Sequence, residues 1–192
     1  MKNIQVAFSL IISGILISCS QKTEVSTNQN VPIDSMVVAP DSAAIKAAQK
    51  KAQEQEKARL DRPYREDENA EEKIQELIQR AQVENKNIIL QAGGNWCIWC
   101  LRFNDFVQRT PELKKITDDY YLYYHLNYSP KNKNEKVFSR YGNPGEKYGY
   151  PVFIILSKDG KLIHIQDSAV LEDGNGYDLE KVKAFFAEWI PR

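Results

Sequence analysis

Two cysteines separated by two residues are the feature of this sequence best suited to chemistry. Cys97 and Cys100 follow the apolar run 88–92 and open a segment whose composition predicts a helix. A thiol in the first turn of a helix lies among unpaired backbone N–H groups at the positive end of the helix dipole, which stabilises a nucleophilic thiolate. A second thiol three residues later lies on the same helical face, close enough to close a small disulfide ring. The pair is therefore predicted to be redox active.

The surroundings of the pair carry a family resemblance. The run 96–100 is Trp-Cys-Ile-Trp-Cys, and its place after a strand and at the start of a helix resembles the redox motif of the thioredoxin superfamily. Tyr150-Pro151 precedes the apolar run 152–156, where that family has a cis-proline facing the cysteines. The resemblance implies an α/β, thioredoxin-like fold for 66–192, with a central mixed sheet flanked by helices and preceded by a disordered and helical tether.

The resemblance also assigns roles to the two thiols. Cys97, expected to be exposed, attacks a substrate disulfide, and the more buried Cys100 then attacks Cys97 and releases the reduced substrate. Thioredoxins carry a buried acid six residues before the first cysteine, but this chain has Gln91 there. An amide cannot accept the proton of the second thiol, and the missing negative charge favours the thiolate of Cys97. We therefore predict an intermediate reduction potential.

Aromatic residues surround the motif and form a candidate substrate-binding surface. Trp96 and Trp99 flank the first cysteine, and Tyr150 stands where the family usually has a smaller residue. Trp99 and Tyr150 are expected to be exposed beside the cysteines. Trp96 either joins this substrate-binding surface or packs beneath the loop. The resemblance implies that Pro151 is cis and that the backbone before it faces the cysteines, where an extended substrate could pair.

Two other functions are compatible with Cys97 and Cys100. They could form a structural disulfide in a thioredoxin-fold binding module, or they could hold a soft metal ion such as copper. A four-cysteine zinc site is excluded because the chain has no second pair. The two histidines, His125 and His164, fall in predicted strands without local metal-ligand spacing. No metal and no cofactor are therefore predicted.

The N-terminus predicts export and a lipid anchor. Residues 1–18 have one basic side chain, Lys2, followed by an apolar stretch over 6–17 that has the length of a secretory signal and is too short for an ordinary membrane span. The run Leu-Ile-Ser-Cys at 16–19 resembles the bacterial lipobox, which implies lipidation of Cys19. The alternative is an ordinary signal peptide that is cleaved nearby.

The predicted location determines the predicted partners. These are exported proteins with disulfides, an unidentified extracytoplasmic donor or acceptor of electrons, and the membrane through lipid on Cys19. Ser20 is not the aspartate that retains some lipoproteins in the inner membrane, so the periplasmic side of the outer membrane is favoured. The chain has 26 basic and 26 acidic residues. This balance, without clusters of Lys and Arg, argues against nucleic acid as a partner.

Residues 19–65 are predicted to tether the domain to its anchor. The segment 20–40 is polar and shows no sustained apolar period, which indicates disorder. The segment 41–60 is rich in strong helix formers but has few large apolar residues, so it predicts a solvated stalk, with a weak coiled coil as the alternative. Pro63 ends the stalk, and the domain is predicted to begin near Glu66.

The domain itself shows the element order of a thioredoxin fold. Helices are predicted at 69–84, from the cysteines to Arg109, and at 112–117, 135–141 and 178–189, and strands at 87–92, 120–128, 152–156 and 161–165. The tyrosine-rich strand 120–128 is interpreted as a central strand with both faces covered. Asp159-Gly160 predicts a tight turn between the last two strands.

Overall fold

The computed structural model of the chain describes residues 42–192. The predicted signal peptide, Cys19 and the first part of the tether lie outside these residues. The helices are α1 (Ser42–Lys57), α2 (Ala70–Glu84), α3 (Ile98–Arg109), α4 (Pro111–Tyr120), α5 (Glu135–Arg140), α6 (Pro144–Tyr148) and α7 (Leu179–Glu188). The strands are β1 (Asn87–Gly93), β2 (Tyr121–Asn127), β3 (Val152–Leu156), β4 (Leu162–Asp167), β5 (Glu172–Asp173) and β6 (Gly176–Tyr177). None of the helices in 42–192 has both the length and the apolar character needed to cross a bilayer.

The main sheet has four strands in the order β2-β1-β3-β4. β1 is parallel to β2 and antiparallel to β3, which pairs antiparallel with β4. The sheet is therefore mixed, as predicted. The prediction that the tyrosine-rich strand is central was wrong, because β2 lies at an edge of the sheet. Its apolar composition instead reflects helices that cover both of its faces.

Each face of the sheet has its own hydrophobic core. Ile88, Leu90, Leu122 and Leu126 face α2, and with the buried residues of that helix they form the first core. The second core lies on the opposite face, where α3, α4 and α7 pack over β1, β2 and β3 through Ile89, Phe103, Leu113, Tyr121, Phe153, Val182 and Phe186. Strands that are buried on both faces have no alternating polar pattern, which explains the continuous apolar runs of β1 and β3.

Capping residues fix the ends of the long helices close to their predicted limits. The side chain of Asn69 accepts a hydrogen bond from the backbone N–H of Glu71 at 3.1 Å, and α2 ends at Asn85 in the left-handed conformation. Asp178 caps α7 in the same way, through the N–H of Lys181. The helix predicted at 112–117 is longer than expected. Pro111 opens α4, and ion pairs between residues four apart support its last turn.

Helix α1 has no buried residue. Its last turn nevertheless contacts the domain, because Glu56 accepts two hydrogen bonds of 2.7 Å from the guanidinium of Arg102 on α3. Tyr64, which precedes the predicted domain start at Glu66, is only 3% exposed. We therefore treat Tyr64 as part of the packed domain.

Candidate redox site

The cysteine pair lies where β1 ends and α3 begins. Cys97 is the N-cap of α3, and the two sulfurs form a disulfide bond. The Sγ of Cys97 accepts a hydrogen bond of 3.1 Å from the backbone N–H of Cys100. In the reduced protein, this donor and the helix N-terminus would stabilise a thiolate at Cys97. The first of the two sulfurs is thus the one best placed to act as a nucleophile.

Both cysteines are more enclosed than the sequence suggests. Cys100 is completely buried, as predicted, but Cys97 is only 6% exposed. The expectation of an exposed Cys97 was therefore wrong. The sulfurs belong to a cluster with the buried Tyr64, and the rings of Trp99 and Tyr150 pack against it. Cys97 is therefore bordered by aromatic side chains.

The Tyr150–Pro151 peptide bond is cis, as predicted. The carbonyl oxygen of Tyr150 lies 3.4 Å from the Sγ of Cys97. The backbone before Pro151 therefore faces the cysteines, which is the arrangement that the family resemblance implies. In the reduced protein, this carbonyl could accept a hydrogen bond from the thiol of Cys97.

Trp96 is the exposed aromatic residue of the site, with 48% of its surface accessible. Its indole N–H donates a hydrogen bond of 2.7 Å to the carbonyl of Tyr128. Its ring meets Tyr150 edge to face at 5.6 Å, and Tyr150 stacks on Tyr128 at 5.3 Å. Trp96, Tyr128 and Pro130 line a mainly apolar pocket of about 410 Å³. We call Trp96, Tyr128 and Tyr150 the aromatic rim.

Trp99 does not belong to this rim. It points to the other side of α3, where its ring meets Tyr177 edge to face at 5.7 Å and the Arg102 guanidinium lies 5.0 Å from its centroid. The hydroxyl of Tyr177 donates to the Trp99 carbonyl at 3.1 Å. The predicted exposure of Trp99 is thus only partial, because aromatic packing and the Arg102 side chain cover much of the ring.

Gln91 occupies the position of the missing acid and has two hydrogen bonds. Its amide N–H donates to the carbonyl of Cys100 at 2.9 Å, and its oxygen accepts from the hydroxyl of Tyr123 at 2.7 Å. The side chain is completely buried. Gln91 therefore links β1 and β2 to the first turn of α3 without carrying a charge.

Two residues that the sequence analysis did not assign to the site complete it. Tyr64 is held against the loop before Trp96 by Asn95, which accepts from the Tyr64 N–H at 3.2 Å and donates to the Tyr64 carbonyl at 2.7 Å. The Tyr64 ring meets the imidazole of His125 edge to face at 5.1 Å. His125 is the partner of Gln91 in the parallel register of β1 and β2. No local motif marks His125 as a residue of the site, and its place there follows from the register of β1 with β2.

His125 makes the stability of the fold sensitive to acid. Burial lowers the pKa of His125 from 6.5 to about 4. Between these two values the unfolded chain binds a proton that the folded protein excludes. The stability that the fold gains from a neutral His125 is therefore fully present above pH 6.5 and is lost as the pH falls towards 4. From pH 7 to pH 5, we expect the free energy of unfolding to fall by about 1–2 kcal/mol because of His125. The range allows for the partial exposure of its side chain.

Urea denaturation at the two pH values measures this effect. His125→Phe removes the titrating group, so its stability should depend less on pH than that of the wild type by the same amount. Carboxylates titrate in both proteins and cancel in the comparison. Equal losses of stability in the two proteins on acidification would contradict the assignment.

The copper hypothesis gains no support from the described residues. Within 42–192, no group of three or more His, Cys, Asp and Glu side chains could hold a metal ion. His164 stacks on Trp189 at 4.4 Å, and the ring of His125 meets that of Tyr64 at 5.1 Å.

Comparisons with known proteins bear on the fold. No protein-family model and no curated protein matches the chain in sequence. Among solved structures, it is similar to a disulphide isomerase from Xylella fastidiosa Temecula1, with a TM-score of 0.57, 20% identity and coverage of 67% of this chain and 97% of that chain.

Two further solved structures show a weaker likeness. They are a redox protein from Chlamydomonas reinhardtii, with a TM-score of 0.42, 21% identity and coverage of 64% of this chain and 34% of that chain, and a DsbH oxidoreductase, with a TM-score of 0.42, 20% identity and coverage of 59% and 76%. At 20% identity, even the stronger likeness concerns the fold. With its mixed sheet, its flanking helices and its cysteine pair at the start of α3, the chain has a thioredoxin-like fold.

Proposed function

We propose that this protein is a membrane-anchored, extracytoplasmic thiol-disulfide oxidoreductase that exchanges disulfides with exported proteins through Cys97 and Cys100. The observation that carries the proposal is the disulfide between the N-cap of α3 and the residue three positions later. A helix N-terminus favours the thiolate form of Cys97, and thiolate is the reactive species in disulfide exchange.

The exchange runs through a mixed disulfide. In the reducing direction, the Cys97 thiolate attacks one sulfur of a substrate disulfide, the substrate S–S bond breaks, and the other substrate sulfur leaves as a thiolate and takes a proton from solvent. Cys100 then loses its proton and attacks Cys97, which forms the internal disulfide and releases the second substrate thiolate. The substrate gains two electrons and the protein loses two. The reverse sequence donates a disulfide.

The location and partners are those that the N-terminal sequence predicts. Lipid on Cys19 would anchor the chain to a membrane, favoured to be the outer membrane. An extracytoplasmic donor or acceptor would reset the pair, because cytosolic reductants do not reach that compartment. The uncharged Gln91 beneath the pair supports an intermediate reduction potential.

The reduction potential of the Cys97–Cys100 pair tests the proposal. We would measure it on the full chain in detergent, by trapping thiols after equilibration in glutathione buffers. A value between about −120 and −270 mV, the span of known catalytic pairs, would support exchange. A value below about −300 mV, typical of structural disulfides, would overturn it.

The second candidate function is a thioredoxin-fold binding module with a structural disulfide. The enclosure of both cysteines favours it, since Cys100 is fully buried and Cys97 nearly so. In that case the aromatic rim would bind a partner without any change at the sulfurs. The disulfide would then resist mild reductants, and partner binding would be equal in its oxidised and reduced forms.

The aromatic rim is predicted to bind the polypeptide around a substrate disulfide. Trp96→Ala removes its most exposed ring, so the KM for a disulfide-containing peptide should rise about fivefold or more, equivalent to about 1 kcal/mol of lost contact. The KM for a small disulfide such as oxidised glutathione should change much less, because it does not span the rim. Steady-state kinetics with both substrates measure the difference.

Tyr120→Ala is the matched control for this experiment. Tyr120 is also an exposed aromatic residue, at 42%, but it is the last residue of α4, next to the end of β2 that lies away from the cysteines. Its removal should leave both KM values unchanged. Equal effects of Trp96→Ala on the peptide and on the small disulfide would show that the rim does not recognise the polypeptide.

A further inference from the structure

Among the residues that the structure describes, two buried polar atoms beneath the redox pair have no hydrogen-bond partner. They are the hydroxyl of Tyr64, which lies beside the Gln91 side chain without a well-formed hydrogen bond to it, and the Nε2 of His125. Leaving such a group unpaired destabilises the folded protein, and most buried polar atoms are paired. Two such atoms on rings that touch each other indicate a function that the disulfide form of the protein does not display.

Tyr64 lies between Cys100 and His125. It packs in one cluster with both cysteines, and on its other side its ring meets His125. The Tyr64 hydroxyl and the Sγ of Cys100 both lie against the Cα of Gly93, where an added Cβ would be 3.0 Å from the hydroxyl and would overlap the sulfur. The phenol hydroxyl and the buried sulfur therefore lie close together beside Gly93.

We propose that His125, acting through the hydroxyl of Tyr64, accepts the proton of Cys100 when the mixed disulfide is resolved. The inference rests on the proposed exchange function and deepens it. It supplies the step that Gln91 cannot perform, because an amide has no basic atom for a thiol proton. His125 thus acts on Cys100 through Tyr64, which packs in one cluster with the two cysteines.

The protons of this step balance, with the buried cluster holding one proton until it returns to solvent. The Cys100 thiol gives its proton to the Tyr64 oxygen as the Tyr64 hydroxyl gives its own proton to Nε2 of His125. The Cys100 thiolate then attacks Cys97, the Cys97–substrate bond breaks, and the departing substrate thiolate is protonated by solvent. His125 returns its proton to solvent once the disulfide has formed. No outside oxidant is needed, because the substrate disulfide accepts both electrons.

The electrostatics of the pocket are compatible with this transfer. Burial alone lowers the pKa of His125 in the disulfide form, so the imidazole is neutral and has a free lone pair at neutral pH. A thiolate formed at Cys100 then favours the imidazolium, as in other cysteine–histidine pairs. Burial also raises the pKa of Tyr64, so the phenol keeps its proton and can pass it on.

The other titratable groups around the pocket are phenols. The ring of Tyr123 on β2 meets that of His125 at 5.2 Å, and the Tyr123 hydroxyl donates a hydrogen bond to the side-chain oxygen of Gln91. Tyr177 on β6 faces the pocket from the α3 side, with its hydroxyl bound to the carbonyl of Trp99. No charged group contributes to the shift in the pKa of His125. Within the described residues, His125 is therefore the base best placed to serve Cys100.

Reaction of the reduced full chain with 5,5′-dithiobis(2-nitrobenzoate) separates the two thiols. Attack by Cys97 releases the first thionitrobenzoate, and attack by Cys100 on the mixed disulfide releases the second. A Cys19→Ser background leaves two thiols in the chain. At pH 7, we expect His125→Phe and Tyr64→Phe to slow the second release about 100-fold, which is at the low end of the rate effects of positioned acid–base groups. The rate of the first release should not change.

The pH profile separates this role from a structural one. The deficit of both variants should shrink as the pH rises towards 10, where hydroxide deprotonates Cys100 directly. Tyr121→Phe and His164→Phe are matched controls, since the Tyr121 hydroxyl binds the Phe186 carbonyl and His164 stacks on Trp189. Neither should change either phase. A second phase with the wild-type rate and pH profile in folded His125→Phe would overturn the proposal.

Gln91→Glu provides a test by rescue. A carboxylate at this position lies beneath Cys100 and can accept its proton, so it should restore most of the second-phase rate in the His125→Phe background. Absence of rescue would contradict the assigned role of His125. Absence of the first release in the wild type would instead show that Cys97 is inert, which contradicts the exchange function and not the proton pathway alone.

Discussion

Cys100→Ser is expected to turn the protein into a covalent trap for its substrates. Cys97 can still attack a substrate disulfide, but the serine hydroxyl cannot attack Cys97 and release the product. Mixed disulfides should accumulate as bands that disappear on reduction in a denaturing gel, and turnover should fall below detection. Cys97→Ser should lose turnover as well but form no adducts, because the buried Cys100 does not meet the substrate.

The pair of variants separates the two candidate functions. A binding module would retain its partner equally well with either serine, and no band would be sensitive to reductant. Adducts formed by Cys97→Ser but not by Cys100→Ser would reverse the assigned roles of the two thiols. The adducts of Cys100→Ser also provide the material from which the natural substrates can be identified.

Gly93→Ala is expected to destabilise the oxidised protein by about 1–3 kcal/mol, the usual cost of inserting a methyl group into a packed interior. An added Cβ would overlap the Sγ of Cys100 and would also crowd the hydroxyl of Tyr64 at 3.0 Å. Gly93 ends β1 and is buried, so the strand cannot move away from the sulfur without disturbing the sheet. Urea denaturation under non-reducing conditions measures the loss.

Gly176→Ala is the matched control, because the nearest atom to an added Cβ there is 3.9 Å away. Its stability should stay within about 0.5 kcal/mol of the wild type, as for most surface substitutions. If Gly93→Ala were as stable as Gly176→Ala, the close approach of Cys100 and Tyr64 to β1 would be contradicted.

Local signals in the sequence specified most of the helices and strands. Asn69 and Asp178 cap the helices that they were predicted to begin, and the apolar runs of β1 and β3 lie at the predicted positions. These signals depend only on neighbouring residues. The five-residue α6 and the two-residue strands β5 and β6 are too short to show a period, so the sequence did not reveal them.

The composition of the site depends on contacts between distant residues, which a single sequence does not display. Tyr64 meets the cysteines from a segment that had been assigned to the tether, and it does so because Asn95 pairs with its backbone. His125 comes beneath the site through the register of β1 with β2. The motif identified Cys97 and Cys100 as candidates, but not the groups that surround them.

The aromatic residues show the same limit. Trp96 and Trp99 are alike in sequence, and each flanks Cys97 at a short distance along the chain. They nevertheless lie on opposite sides of the start of α3. Trp96 reaches the Tyr128 carbonyl, whereas Trp99 packs on Tyr177. The direction of each ring follows from its partner on a remote segment, so exposure could not be predicted from the motif.

The placement of the tryptophans has a spectroscopic consequence. Trp99 packs against the cluster that contains the disulfide, and a disulfide in contact with an indole ring quenches its fluorescence. Trp189 lies at the opposite end of β1, where its carbonyl accepts a hydrogen bond from Asn87 at 2.8 Å, too far away to respond in the same way. The molecule thus carries both an optical reporter of its own oxidation state and an internal reference for that signal.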